Sequence, residues 1–160
     1  MMLRSACLVA AFGIAVFGIT VQPAAAQSVA ASDPESVLQA IRAHGHKAKL
    51  EHDSEGYPII HVTRAGINYA VYFYGCDGNP ADCRDLQFSS GFDVEPALTD
   101  AWANAWNRQW VAGRAEVDEE GDPRLTYFVT TGSGLPEENF REIMQVWDVT
   151  LDGFMEDIGW

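Results

Sequence analysis

Apolar residues recur at helical spacing in the segment "SDPESVLQAIRAHG", residues 32–45. Ser32 and Glu35 fit a capping box, and Pro34 suits the first turn. Gly45 suits the position just after the last turn. The apolar face of this segment comprises Val37, Leu38, Ala40 and Ile41. The segment therefore predicts an amphipathic helix that buries one side against the rest of the protein.

After Gly45 the pattern changes to alternating apolar and polar residues, which is the period of a β-strand. Four strands are predicted, at Lys47–His52, Pro58–Arg64, Ile67–Gly75 and Arg84–Phe92. They are separated by "DSEGY", by "AG" and by a loop that contains two cysteines. Strands joined by such short connections pair antiparallel.

Facing residues of an antiparallel pair have numbers with a constant sum, so one known pair defines the whole register. A two-residue turn at "AG" makes Val62 face Tyr69. If Cys76 faces Cys83, as a disulfide between neighbouring strands requires, three apolar pairs also align. They are Phe73 with Leu86, Val71 with Phe88, and Ile67 with Phe92. Both hairpins then place apolar side chains on the same face of the middle strand.

The opposite face of these strands carries Tyr72 facing Gln87 and Tyr74 facing Asp85. This face should be half solvated, which leaves the two tyrosines available to another molecule. Because tyrosine is enriched at protein interfaces, Tyr72 and Tyr74 are the candidate binding residues.

The second half of the chain continues with "VEPALTDAWANAWNRQW", residues 94–110, which predicts another helix. Its apolar stripe comprises Leu98, Trp102, Trp106 and Trp110, residues that at helical spacing are more often core than the lining of a groove. Two strands, "GRAEV" and "PRLTYFVTT", follow around the turn "DEEGD". A last helix is predicted from Pro136 to about Ile158; Leu135 is a poor cap for it, and Ser133 could serve instead.

The predicted order is helix, four strands, helix, two strands, helix. Antiparallel strands with three amphipathic helices predict an α+β fold, a two-layer antiparallel sheet with flanking helices. The sequence shows neither an internal repeat nor an interdomain linker, so residues 27–160 are predicted to form a single domain.

The first residues of the chain have the pattern of a secretory signal peptide. Arg4 precedes an apolar run from Ala6 to about Val21, and small residues end at Ala26. The run is shorter than the roughly 20 apolar residues that a membrane span requires. We therefore predict cleavage after Ala26, a periplasmic or secreted location, and no membrane anchor after cleavage.

The charge of the chain excludes some classes of partner. The formal net charge is −13, and removal of Arg4 with the predicted signal peptide makes it −14. Such a surface repels phosphate backbones and anionic lipids. We therefore expect no nucleic-acid binding, and the charge itself is more typical of solubility than of a cationic ligand.

Two cysteines, Cys76 and Cys83, remain after the predicted cleavage, in a compartment that is oxidising. We expect them to form a structural disulfide. The alternative is a thiol–disulfide redox centre, but that needs an exposed thiolate, usually with closer spacing at the start of a helix.

The sequence offers little evidence for a metal or catalytic site. His44, His46, His52 and His61 fall within 18 residues but match no ligand pattern, so we expect scattered surface histidines. "DEEGD" resembles only part of a calcium loop and is better explained as a charged turn. Catalytic motifs such as G-x-S-x-G and H-E-x-x-H are missing from the sequence. We predict no metal, no cofactor and no catalytic residue.

Several segments, in order, resemble the YbjN-domain family of bacteria, whose members are described as "putative sensory transduction regulators". They are "DPESVLQAIRAHGHKAKLEHDSEGYPIIHV", "YAVYFYGC…CRDLQFSSGF", "NAWNRQWVAGRAEVDEEGDPRL" and the helix after "GSGLPEENF". The resemblance runs from about Asp33 to Phe154. It implies a fold like that of the type III secretion chaperones, which bind extended segments of partner proteins and are commonly dimers. This chain differs from a cytoplasmic regulator in one respect, because it has a predicted export signal.

The sequence thus predicts a non-enzymatic, exported adaptor that binds a protein or peptide, or a second copy of itself, through the face bearing Tyr72 and Tyr74 or through a sheet edge. Two alternatives stay open. One is a redox protein that uses Cys76 and Cys83, and the other is a stress-protective structural protein of the cell envelope.

Overall fold

The computed structural model describes residues 28–78 and 82–160. The predicted signal peptide, residues 1–26, and its cleavage site lie outside the described residues. Within the described part of the chain, the helices are all too short or too polar to cross a membrane.

Three helices and eight strands make up the described residues. The helices are α1 (Pro34–Ala43), α2 (Asp100–Gln109) and α3 (Glu137–Ile158). The strands are β1 (Ser28–Val29), β2 (Lys47–His52), β3 (Pro58–Arg64), β4 (Ile67–Tyr74), β5 (Asp85–Gly91), β6 (Arg114–Val117), β7 (Pro123–Thr130) and β8 (Leu135–Pro136).

Strands β2 to β7 form a six-stranded antiparallel sheet in the order β2-β3-β4-β5-β7-β6. The α+β prediction is confirmed, and the order of the long elements is the predicted one. The sequence analysis missed β1 and β8, which pair with each other and tie residue 28 to the segment before α3. Two-residue strands are too short to show an alternating pattern.

The predicted register is also confirmed. Val62 pairs with Tyr69 and Val71 pairs with Phe88. A disulfide joins Cys76 to Cys83, just beyond the last pair of β4 and β5.

The hydrophobic core lies between one face of the sheet and the helices. Phe88 on β5 and Trp147 on α3 are fully buried, with ring centroids 5.5 Å apart. Tyr69 on β4 packs edge-on against Trp147 at 5.3 Å. Each such side chain contributes roughly 1.5 to 3 kcal/mol through removal of apolar surface from water.

Trp106 of α2 belongs to the core, as predicted, and the half-buried Trp102 and Trp110 pack against it. Trp106 is buried and stacks on Trp110 at 5.4 Å, and both indole N–H groups donate to Asp157 at 3.0 Å. Asn107 donates to the carbonyl of Ala115 at 3.0 Å and accepts from its amide at 2.7 Å. The amide side chain thereby fastens α2 to β6.

The helix starts differ from the predictions by small shifts. Asp33, not Ser32, caps α1, because its carboxylate accepts the amide of Ser36 at 3.4 Å. Helix α2 begins only at Asp100, where Thr99 accepts from the amide of Trp102 at 3.3 Å.

Helix α3 has no side-chain cap, so the suggested role of Ser133 is wrong. The residues directly before this helix form β8, and pairing with β1 holds them in place. Glu137 and Glu138 in the first turn face the positive end of the helix dipole.

Candidate functional site

The two faces of the main sheet differ in what covers them. The helices pack on one face, and among the described residues no element covers the other, which we call the open face. Three large side chains on this face are exposed: Tyr72 at 37%, Tyr74 at 46% and Phe128 at 57%. The predicted half-solvated tyrosines are therefore on an uncovered surface.

Three large apolar or aromatic side chains and one glutamine cross the open face in one row. The register places Ile59, Tyr72, Gln87 and Phe128 side by side on β3, β4, β5 and β7. We call these four residues the transverse row. Neighbouring strands lie about 4.8 Å apart, so the row extends over about 14 Å. It is long enough to contact several residues of another chain.

A pocket of about 320 Å³ opens beside the β3 end of the transverse row. It is lined by Asp53, Tyr57, Pro58, Ile59, Tyr72, Phe73, Tyr74, Gly75 and Cys76. The Asp53 carboxylate accepts the amides of Glu55 and Tyr57 at 2.9 and 2.8 Å, which holds one wall of the pocket in place. The disulfide holds the opposite wall in place, because Cys76 lines the pocket and is bonded to Cys83.

The charge of the open face is close to neutral. Its outward positions carry four basic residues and three acidic ones: Lys47, Lys49, Arg114, Arg124, Glu51, Asp85 and Glu116. Two of the acidic groups form exposed ion pairs on the face itself, Glu51 with Lys49 and Glu116 with Arg114. The Lys49 ammonium also lowers the pKa of the Glu51 carboxyl. Helix α3, in the other layer, carries seven acidic residues against one basic residue, Arg141.

The disulfide joins two residues that are seven positions apart in the sequence, and it closes the loop between β4 and β5. Cys83 is fully buried in the core, and Cys76 is half-buried, packs against the core and lines the pocket. The backbone of Asp77 also donates to Asp82 at 3.2 Å across the loop. This arrangement supports a structural role for the bond.

His44 and His46 are not scattered on the surface, and on this point the sequence analysis was wrong. Their Nε2 atoms lie 2.9 and 3.3 Å from the same Asp148 oxygen, Oδ2. The side chains of His44 and His46 are only 13% and 7% exposed. His52 and His61 are exposed, as expected. The prediction failed because Asp148, the residue that both imidazoles contact, lies 104 residues after His44 in the sequence.

Two further side chains surround this histidine cluster. Tyr69 Oη lies 2.9 Å from His46 Nδ1, and Arg64 Nε lies 3.2 Å from Asp148 Oδ1. Arg64 also binds Asp152 through two nitrogens, at 2.5 and 2.7 Å. The cluster therefore connects the α1–β2 junction, β3, β4 and α3.

The environment of the cluster shifts several pKa values. Burial lowers the pKa of His46, against the opposing effect of Asp148, so the imidazole tends to stay neutral. Burial also raises the pKa of Tyr69, which keeps its hydroxyl protonated. The hydrogen bonds between Arg64 and Asp152 lower the pKa of the carboxyl and raise that of the guanidinium.

The acidic turn Asp118–Asp122 is a hairpin turn, as predicted. Asp118 Oδ1 accepts the amides of Glu120 and Asp122, both at 3.0 Å. Asp118, Glu120 and Asp122 place carboxylate oxygens near one another, but exposed acidic groups commonly do so in a turn.

Sequence reasoning missed two members of the transverse row, Ile59 and Phe128. Ile59 could have been found from the β3–β4 register, which aligns it with Tyr72. Phe128 could not, because it requires the β5–β7 pairing, and those strands are separated in the chain by α2 and β6.

Comparison with known proteins gives a family match. A protein-family model named YbjN, with the description "Putative bacterial sensory transduction regulator", matches residues 33–160. The chain has no significant match among curated protein sequences.

Proposed function

Because the chain belongs to the YbjN family, we propose that it is a non-enzymatic module that binds a segment of a partner protein through the open face. The transverse row is the observation that carries this proposal. An uncovered surface that carries aromatic side chains provides contact area for a partner protein.

The dimensions of the transverse row fit an extended segment. A row of about 14 Å corresponds to roughly four residues of extended chain, at about 3.3 Å per residue. Tyr72 and Phe128 would supply apolar contacts, and Gln87 between them can donate and accept hydrogen bonds with a bound backbone.

The pocket beside the row supports one anchoring side chain of the bound segment. Its lining includes three tyrosines, Tyr57, Tyr72 and Tyr74, together with Gly75. Interfaces commonly concentrate their binding energy at such an anchor, in a pocket that excludes water. The partner segment should therefore contain one large apolar or aromatic residue.

The charge distribution supports the open face over the helical layer as the binding surface. A protein with a formal net charge of −13 repels other acidic proteins over most of its surface. The open face carries nearly balanced charges, so a neutral or acidic segment can approach it without a large electrostatic cost.

We extend the proposal to an exported location. The Cys76–Cys83 disulfide agrees with an oxidising compartment, where such bonds persist. The predicted signal peptide would deliver the protein there. The burial of Cys83 hinders attack by an external thiol on that sulfur, which favours the structural role over the redox alternative.

Affinity capture with matched variants tests the proposal. We would compare the unmutated protein, Tyr72→Ala/Phe128→Ala on the open face, and Val149→Ala on α3. Val149 is 65% exposed and lies in the other layer, so it controls for removal of an exposed apolar side chain.

A partner that is captured should then be purified and its affinity measured. We expect the open-face variant to bind about tenfold more weakly or worse, and Val149→Ala to bind as the unmutated protein does. Equal binding by all three would reject the open face. Light scattering identifies the occupant: a dimer that the open-face substitutions dissociate would show that the face binds a second copy instead.

A further inference from the structure

We propose that His44, His46 and Asp148 form a binding site for a divalent transition-metal ion with the preferences of Zn²⁺. The site lies where α1, β2 and α3 meet, in the layer opposite to the open face. It is separate from the proposed partner-binding surface and goes beyond the family description.

The distances between the three side chains fit a metal centre. Ligands of tetrahedral Zn²⁺ at about 2.05 Å are about 3.3 Å from one another. His46 Nε2 is already 3.3 Å from Asp148 Oδ2, and the 2.9 Å separation from His44 Nε2 would open by about 0.4 Å. One potential ligand atom from each residue lies within 4.8 Å of the others.

The donor set determines which ions the site prefers. Two imidazole nitrogens with one carboxylate oxygen are typical of Zn²⁺ and related transition metals, whereas Mg²⁺ and Ca²⁺ prefer oxygen ligands alone. Three protein ligands leave a fourth position for water or for a group of another molecule.

Two neighbouring residues orient the proposed ligands. Tyr69 Oη contacts His46 Nδ1 at 2.9 Å, which leaves Nε2 directed at the centre of the cluster. Arg64 Nε lies 3.2 Å from Asp148 Oδ1, leaving Oδ2 to face the histidines. Such partners hold metal ligands in position and are part of most protein metal sites.

The carboxylate of Asp148 is also incompletely satisfied. Its Oδ1 is buried and accepts no well-oriented hydrogen bond from the described residues, although Arg64 is close enough for an ion pair. Because Oδ1 lies beside the Arg64 guanidinium and the proposed ligand atom is Oδ2, the case for the metal site rests on the two histidines around Oδ2 and not on Oδ1.

A simpler arrangement competes with the metal site. In its absence, both Nε2–H groups donate to Asp148, and the hydroxyl of Tyr69 donates to His46 Nδ1. The cluster would then be a hydrogen-bonded contact between α1, β2 and α3 with no ligand. Metal titration separates the two accounts.

The test is calorimetric titration of the purified protein with ZnCl₂ and, separately, with MgCl₂. We expect one Zn²⁺ ion per chain at this site and no heat from Mg²⁺. His44→Gln and His46→Gln should each weaken Zn²⁺ binding roughly 100-fold or more, because loss of an orienting partner alone costs about 10- to 100-fold. Tyr69→Phe should weaken it by about tenfold.

Matched controls distinguish this site from binding elsewhere. His52→Gln and His61→Gln change exposed imidazoles, and Glu120→Gln changes the acidic turn; all three should bind Zn²⁺ as the unmutated protein does. Absence of binding by the unmutated protein overturns the proposal. Binding that persists in His44→Gln/His46→Gln, or that Glu120→Gln removes, overturns it as well.

A second measurement uses the unmutated protein and so does not depend on how the variants fold. Diethyl pyrocarbonate modifies accessible imidazoles, and peptide mass spectrometry locates the modification. Zn²⁺ should protect His44 and His46 while His52 and His61 react equally with and without the ion. Modification of His44 and His46 that is unchanged by Zn²⁺ contradicts the site.

Discussion

Phe88 and Phe128 stand on neighbouring strands of one sheet and point to opposite faces. Phe88 is fully buried beneath α3, whereas Phe128 is 57% exposed on the open face. The same type of side chain is therefore packed in the core at one position and exposed at the other. An exposed ring contributes little to folding, which agrees with the proposed use of the open face for contact with a partner.

The two faces also differ in how their polar groups are satisfied. Polar groups on the helical side belong to networks that join several elements, such as Arg64 with Asp148 and Asp152. On the open face the ion pairs are exposed, as between Lys49 and Glu51. Exposed pairs of this kind contribute little to stability. Substitutions on the two faces should therefore have separable effects on folding and on binding.

The largest effect on stability is expected from Phe88→Ala. Removing a fully buried aromatic ring loses its transfer energy and leaves a cavity beside Trp147. We expect the free energy of unfolding to fall by about 3 to 5 kcal/mol, measured by urea denaturation. A loss under about 1 kcal/mol would show that this side of the sheet is not the core.

Removal of the disulfide should have the next largest effect. Cys76→Ser/Cys83→Ser frees a short loop in the unfolded chain, which costs about 2 to 3 kcal/mol in the chain-entropy model. Since Cys76 also lines the pocket, partner binding should weaken in the same variant. Stability unchanged within error, measured by the same denaturation assay, would mean that the bond has no structural role.

The histidines of the two faces should differ in their effect on acid stability. Burial lowers the pKa of His46, so below about pH 6.5 the unfolded state takes up a proton that the folded state resists. Stability contributed in this way is present at neutral pH and is lost as the pH falls. We therefore expect His46→Gln to flatten the decline of stability between about pH 7 and 5.

His61→Gln is the matched control, because His61 is 55% exposed on the open face. The stability of the His61→Gln variant, measured by thermal unfolding at several pH values, should depend on pH as that of the unmutated protein does. The interpretation fails if His61→Gln flattens the curve and His46→Gln does not.

The smallest effect on stability is expected from Phe128→Ala. Its ring is largely exposed, so the free energy of unfolding should change by no more than about 0.5 kcal/mol. Partner binding should nevertheless weaken. A loss of several kcal/mol in urea denaturation would place Phe128 in the folding core and remove the contrast with Phe88.

Local periodicity predicted most of this fold. Alternation defined β2 and β3 to the residue, and the Cys76–Cys83 pairing with the constant-sum rule gave the β4–β5 register. From that register followed the two faces and the exposure of Tyr72 and Tyr74. These features depend on residues that are close in sequence.

What the sequence did not predict depends on distant contacts. Phe128 joins the transverse row only through the β5–β7 pairing, and Asp148 reaches His44 and His46 only because α3 packs beside the α1–β2 junction. Neither contact leaves a periodic signal. The sequence alone therefore predicts separate surface histidines where the structure has a cluster.

Site-specific photo-crosslinking tests the central claim, that the open face binds a partner protein, most directly. A photoreactive amino acid would replace Tyr72 or Phe128 on the open face, and Val149 on α3 as the control, in cells that make the protein. The account predicts that positions 72 and 128 form an adduct with the same partner protein and that position 149 does not. Adducts formed only at position 149, or equally at all three positions, would contradict it.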